Sequence, residues 1–173
     1  AFSTVSNLGL IVACAGIGAE ETIWAAVLLM IFHSVSKSML FQAVGSIENS
    51  LGSRDIEDMH GLLLRLPRLT YIMGIGIAGM YLAPFGMLIS KWVALKAFVD
   101  AENYLLVIFL AYGSATTMLY WTKWLCKLVS LHHTKVKVTD ATHPDQYLSM
   151  YIHAAATLGL CLLFPLVSAR VVD

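Results

Sequence analysis

The sequence predicts an all-α fold: a polytopic transmembrane helix bundle of about five helices, one of them broken, forming a single membrane domain over residues 1–173. Three observations lead there. Of the 173 residues, 58% are hydrophobic and only 13% charged, whereas a soluble domain carries about a quarter charged residues. The charges are bunched, and the stretches between the bunches exceed the roughly 18 apolar residues that suggest a bilayer span. Inside lipid every backbone polar group must be satisfied, and segments of these lengths manage that as helices rather than barrel strands.

The elements follow in order. The first span covers about residues 3–18 and opens at "AFSTVSNLGL", already at the edge of a hydrophobic segment. With no initiator methionine and no signal peptide, the chain is expected to be an internal piece of a longer protein. The second span runs over about 22–47, the third 69–98, the fourth 103–128 and the fifth 147–169. The third reads "IMGIGIAGMYLAPFGMLISKWVALKAF". Its Pro84 removes a helix hydrogen bond and clashes with the preceding turn, so with Gly86 close by a break is expected around 84–86. Broken helices at membrane depth border cavities and mark ion sites in many transporters; a simple proline kink is the alternative.

The connections differ in charge. The loop over 49–68 carries Arg54, Arg65 and Arg68, and the loop over 129–146 carries Lys135 and Lys137, with Lys123 and Lys127 just before it. The other two connections, "AEE" and "DAEN", are short and acidic. Lysine and arginine favour the cytoplasmic side, so both long loops are expected there, with the N-terminal end inside and the C-terminal end outside a cell membrane. Residues 53–66 are expected to form a short surface helix, because Ile56, Met59, Leu62 and Leu63 fall at the spacing of an amphipathic stripe. Lys123 and Lys127 read as interfacial anchors with Trp121 and Trp124, and Lys96 as a snorkelling side chain.

Several classes of function are disfavoured. Net charge is zero, and no basic patch interleaved with aromatics suggests nucleic acid. Cys14, Cys126 and Cys161 sit singly in apolar runs, which supports neither a zinc site nor a disulfide framework; they read as small core hydrophobes. His132, His133 and His143 belong to a polar, hydrated loop, so no metal or cofactor site is expected. "GIGIAG" at 74–79 matches a dinucleotide fingerprint but lies inside a transmembrane run, where small residues instead let helices pack closely.

The polar residues within the second span carry the chemistry. "LLMIFHSVSKSMLFQAV" holds His33 and Lys37 near the expected bilayer midplane, four residues apart and therefore on one helical face, with Ser36 beside them. Ser34, Ser38 and Gln42 form a second polar ridge. A lysine at a helix centre costs about 2.5 to 3.5 kcal/mol on insertion scales, so this face must point into protein or a hydrated cavity. Low-dielectric surroundings penalise the charged form of a base, and histidine titrates near neutrality. The pair thus suits a two-step proton relay. Lys91, less than two turns past the expected break, is a second candidate at an ion site, with a lysine heading for the interface as the alternative. A structural lysine paired with a carboxylate is the bland alternative. His153, near the start of the fifth span, is a peripheral candidate for the same path.

These residues resemble a known family. "AFSTVSNLGL" is similar to the "AYSTxSQxG" helix start of the antiporter-like subunits of respiratory complex I and its relatives. "FHSVSKSMLF", with "VGSIE" and "GSRDIEDMHGL" after it, resembles the helix and loop that come next. "LAPFGMLISKW" resembles the discontinuous helix with a mid-membrane lysine. The match is ordered and runs through about residue 100; spans four and five fit by position only.

The resemblance implies paired inverted repeats of five helices, of which this chain would hold most of the second repeat and the helix after it. It implies Lys37 as the central relay lysine, His33 as its neighbour and Lys91 as the lysine facing the outer half-channel, with Arg54 and Asp55 structural. Two positions depart from the pattern: Leu29, where many relatives have a further histidine, and Trp92, where an acidic residue is common. The wording resembles most the large membrane subunit of energy-converting hydrogenases. The function expected is proton translocation as a subunit of a redox-driven complex of hydrogenase or NADH:quinone type, with no redox centre in this chain. Alternatives are a subunit of a multisubunit sodium/proton antiporter and a non-transporting scaffold. Expected partners are other membrane subunits, the lipid bilayer, and protons, with sodium as the alternative ion.

Overall fold

A computed structural model of the chain describes residues 2–82, 86–131 and 138–172, with side chains as far as residue 163. Pro84, His132, His133, Lys135 and Lys137 lie outside the described residues. The helices are α1 (Phe2–Ile17), α2 (Glu20–Leu51), α3 (Leu62–Arg65), α4 (Pro67–Tyr81), α5 (Gly86–Asp100), α6 (Tyr104–Val129) and α7 (Pro144–Val172). All five expected spans are present. Glu20–Leu51, Pro67–Asp100, Tyr104–Val129 and Pro144–Leu163 are long and apolar enough to cross a membrane, while Phe2–Ile17 is shorter.

The bundle is organised around α2, which packs against α1, α4, α5 and α7. Its first turn carries Glu20 and Glu21, complementing the positive end of the helix dipole. It ends where Gly52 turns left-handed at φ 74°, and the Gly52 amide closes the last turn on the Glu48 carbonyl. With 32 residues, α2 is about 48 Å long at 1.5 Å per residue. It therefore projects beyond a hydrocarbon core of about 30 Å. Proline opens α4 and α7, a first-turn position where its missing N–H costs nothing. Asn103 caps α6 by accepting from the Leu106 amide at 3.4 Å.

The third span is two helices, as its sequence led us to expect. α4 stops at Tyr81, Leu82 is extended with φ −92° and ψ 144°, and α5 restarts at Gly86. The halves are held to α2 by small residues. A Cβ on Gly76 would stand 2.8 Å from the Leu40 side chain, and one on Gly79 would stand 2.9 Å from the Ser36 hydroxyl. Gly74, two residues before Gly76, faces open space. The "GIGIAG" run is thus a packing surface, used through two of its three glycines.

The expected surface helix over 53–66 is corrected. Only Leu62–Arg65 is helical, and residues 56–61 form turns. Side chains capture the amides that a helix would need: Ser53 Oγ accepts from the Asp55 N–H at 3.1 Å, and Asp55 Oδ1 accepts from the Glu57 N–H at 3.0 Å. Met59 and Leu62 still bury fully, so the apolar stripe reaches the core without a helix beneath it.

Both long loops meet at one end of the bundle. The Gly61 N–H donates to the Lys127 carbonyl at 3.0 Å, and the Ala141 N–H donates to Ser50 Oγ at 3.2 Å. Glu57 bridges Lys127 and Lys123, the latter at 3.3 Å. Hydrogen bonds from Lys127 and then Lys123 hold the Glu57 carboxyl below the usual carboxylate range. The two acidic connections lie at the opposite end, where Lys96 is exposed and 3.9 Å from Asp100.

Gly86 supplies the tightest contact, because a Cβ there would fall 1.9 Å from the Phe32 ring. Gly86→Ala should therefore destabilise the protein by about 1 to 3 kcal/mol through overpacking. Gly74→Ala should be neutral or stabilising by up to about 1 kcal/mol. Thermal unfolding in detergent distinguishes the two.

Candidate functional site

The sequence-predicted residues converge where α2, α5 and α6 meet. His33 is buried on α2 at 6% exposure, and neither ring nitrogen has a hydrogen-bond partner among the described residues. Lys37, one turn further along the same face, and Lys91 on α5 both lie within electrostatic range of the His33 ring. Among the described residues the ion pairs engage Arg54, Lys96, Lys123 and Lys127. No carboxylate is paired with Lys37 or Lys91 there.

Aromatic faces take the place of a counter-ion at Lys37. Its Nζ stands 4.9 Å from the centre of the Trp121 ring and 6.0 Å from that of Phe41, and a cation over an indole is attracted by the ring quadrupole. Trp121, expected with Lys123 and Lys127 as an interfacial anchor, turns its ring into the bundle. Its side chain is 2% exposed and stacks on Trp124 with centroids 5.4 Å apart. Lys123 and Lys127, expected beside it as anchors, reach the Glu57 carboxylate instead.

Lys91 faces a cavity of about 600 Å³ between α1, α5 and α6. Asn7, Ser114 and Thr117 contribute polar groups to its wall, and Phe98 and Leu110 contribute apolar ones. Asn7 is buried and ties its amide to the Ser3 carbonyl at 2.8 Å. The cavity wall was missed in the sequence, although Ser3 and Asn7 on one face of an apolar helix carried a signal. Nothing in the sequence distinguished Trp121 from the other tryptophans.

The second polar ridge divides. Ser34 is exposed and only returns its hydroxyl to the Ile31 carbonyl at 2.9 Å. Ser38 and Gln42 instead face α7: Ser38 Oγ is 3.1 Å from His153 Nε2, and Ser149 Oγ donates to Gln42 Oε1 at 2.9 Å. Ser36 is buried against Gly79. His143, in the loop, is exposed, and no group of metal-ligating side chains occurs among the described residues.

This arrangement of a broken helix, a mid-helix lysine and a second lysine past the break can be set beside known proteins. The transmembrane family described as "NADH:quinone oxidoreductase/Mrp antiporter, TM" matches residues 1–118. The chain belongs to this family. Among curated members, the Na(+)/H(+) antiporter subunit A1 of Staphylococcus saprophyticus is 34% identical over 60% of this chain and 14% of its own length. Its counterpart in Staphylococcus aureus strain JH9 is 31% identical over 95% of this chain and 24% of its own. The chain thus spans about a quarter or less of these relatives. A solved Mrp complex from Dietzia sp. DQ12-45-1b shares the fold with a TM-score of 0.80 at 18% identity, covering 96% of this chain and 40% of that one. Family membership and the apolar helices together make the protein a multi-pass integral membrane protein of the antiporter-like superfamily.

If the cavity beside Lys91 is wet, its wall should react with water-borne reagents. In a Cys126→Ser, Cys161→Ser background, Ser114→Cys should be labelled by a hydrophilic thiol reagent. Met39→Cys, at a position with no exposure, should stay unlabelled.

Proposed function

We propose that the chain is a segment of an ion-translocating membrane subunit and that His33, Lys37 and Lys91 relay protons within it. The observation that carries this reading is the His33 ring, buried with both nitrogens unpartnered among the described residues and within electrostatic range of two lysines that have no carboxylate there. A buried polar atom left unpaired costs about 1 to 3 kcal/mol, and structural roles rarely leave two on one ring. A group that must gain and lose a proton needs such freedom.

The names of the relatives favour a multisubunit sodium/proton antiporter over the redox-driven complexes expected from the sequence. In this reading the two long loops face the cytoplasm, residues 1–173 form part of the second inverted repeat of a longer subunit, and other membrane subunits of an antiporter complex surround it. Protons load the His33 and Lys37 pair, pass to Lys91 and leave through the cavity beside α1. Sodium movement is coupled elsewhere in the complex, through the charge that each lysine presents to its neighbours. Such coupling is electrostatic: two unit charges 4 Å apart at an effective dielectric of 20 interact by about 4 kcal/mol.

The rival is a scaffold whose polar residues only pin helices together. Lys37→Ala and Lys91→Ala, each in the full-length subunit within its assembled complex reconstituted in vesicles, separate the two. Relay predicts that sodium-driven proton movement falls by about 10²-fold with assembly intact. Unchanged transport in both variants would establish the scaffold.

A further inference from the structure

The hydroxyls of α2 do not end at the ridge seen in the sequence. Ser38, Gln42, Ser46 and Ser50 follow one another at intervals of four residues, so they form one stripe with about 5 to 6 Å between neighbours. The stripe begins beside Lys37 and ends in the loop region, where Ser50 accepts from the Ala141 N–H at 3.2 Å and donates to the Ser46 carbonyl at 3.0 Å. Along it, α7 answers with polar groups of its own: Ser149 on Gln42 at 2.9 Å, and His153 on Ser38 at 3.1 Å. The other face of the same ring is fixed as well, with His153 Nδ1 2.8 Å from the Ser149 carbonyl.

That last contact sets the tautomer. A carbonyl only accepts, so Nδ1 carries the hydrogen, and in the neutral ring Nε2 holds the free lone pair. Ser38 then donates to Nε2. The histidine presents a basic nitrogen toward the hydroxyl adjacent in sequence to Lys37, and it does so on the side that leads to the loop end of the bundle.

We propose that the α2–α7 seam is the proton inlet from the loop end and that His153 is its proton-accepting member; the proposal rests on the relay reading of Lys37. A proton arriving along the Ser50, Ser46 and Gln42 stripe, with water bridging successive rungs, reaches the Ser38 oxygen, and the hydroxyl hydrogen that Ser38 already donates moves onto Nε2 to give the imidazolium. Ser38 takes that proton back from Nε2 while its own hydroxyl proton passes through a water to the Lys37 amine, since consecutive residues of a helix do not face each other. Only N–H and O–H bonds form and break, and the ring returns to its starting tautomer with Nδ1–H on Ser149 throughout. His33, whose ring nitrogens have no hydrogen-bond partner among the described residues, then shares the proton with Lys37 before the onward step toward Lys91.

The test uses the full-length subunit in its assembled complex in vesicles, with proton uptake as the readout. His153→Gln keeps an amide in place of the ring but cannot change charge; uptake should fall at least tenfold while assembly persists. His153→Ala should lose uptake similarly and recover part of it when imidazole is added. Uptake within twofold of the unsubstituted complex in His153→Gln overturns the proposal. So does loss without imidazole rescue, or failure of both variants to assemble, because each assigns the ring a structural role. Lys37→Ala, run in parallel, separates the two levels. If it transports normally, the relay reading itself fails; if it is inactive while His153→Gln is active, only the inlet fails.

Discussion

An amine held mid-helix in a membrane-spanning segment, with no carboxylate paired to it among the described residues, is the constraint on which the architecture depends. Placing a lysine near a helix centre costs about 2.5 to 3.5 kcal/mol on insertion scales, and this chain does it twice. A structure that only needed stability would neutralise each lysine with an aspartate or glutamate. Here Lys37 lies over the Trp121 ring and Lys91 faces a cavity. Neither arrangement locks the amine in an ion bridge among the described residues.

The rest of the fold can be read as support for those two positions. α2 is long and central, so its polar stripe reaches from the loop end to the level of Lys37. The third span gives up helical continuity between Tyr81 and Gly86, which brings the start of α5 hard against Phe32, next to His33. Gly76 and Gly79 let α4 approach α2 closely enough to bury Ser36. At the loop end, partial burial opposes the charge of Asp140, but hydrogen bonds from Tyr147 and Thr142 keep its carboxyl below the ordinary range. That fixed negative charge sits beside the start of α7.

Much of this was legible in the amino-acid order because membrane helices obey length and hydropathy before they obey packing. Five spans, the interrupted third helix and the His33–Lys37 face all followed from run length, Pro84 and a spacing of four. The loop helix over 53–66 did not form because local competition, Ser53 and Asp55 against their neighbours' amides, outweighs a stripe of four apolar residues. The burial of Trp121 escaped for a different reason: an indole near a helix end suits either an interface or a buried cation, and its contact with Lys37 shows only in three dimensions. The α7 seam needed three dimensions, since Ser38 and His153 are 115 residues apart. The relay roles themselves rest on geometry together with family resemblance, and the coupling ion follows from the relatives' names rather than from any side chain here.

Whether Lys37 and Lys91 change ionisation is the most direct question to ask of the intact complex. Nitrogen NMR of the assembled complex with labelled lysine side chains, assigned through Lys37→Arg and Lys91→Arg, reports ammonium and amine forms separately. Under an imposed ion gradient both side chains should populate the amine as well as the ammonium. Two signals that stay fully ammonium whatever the gradient would contradict the relay.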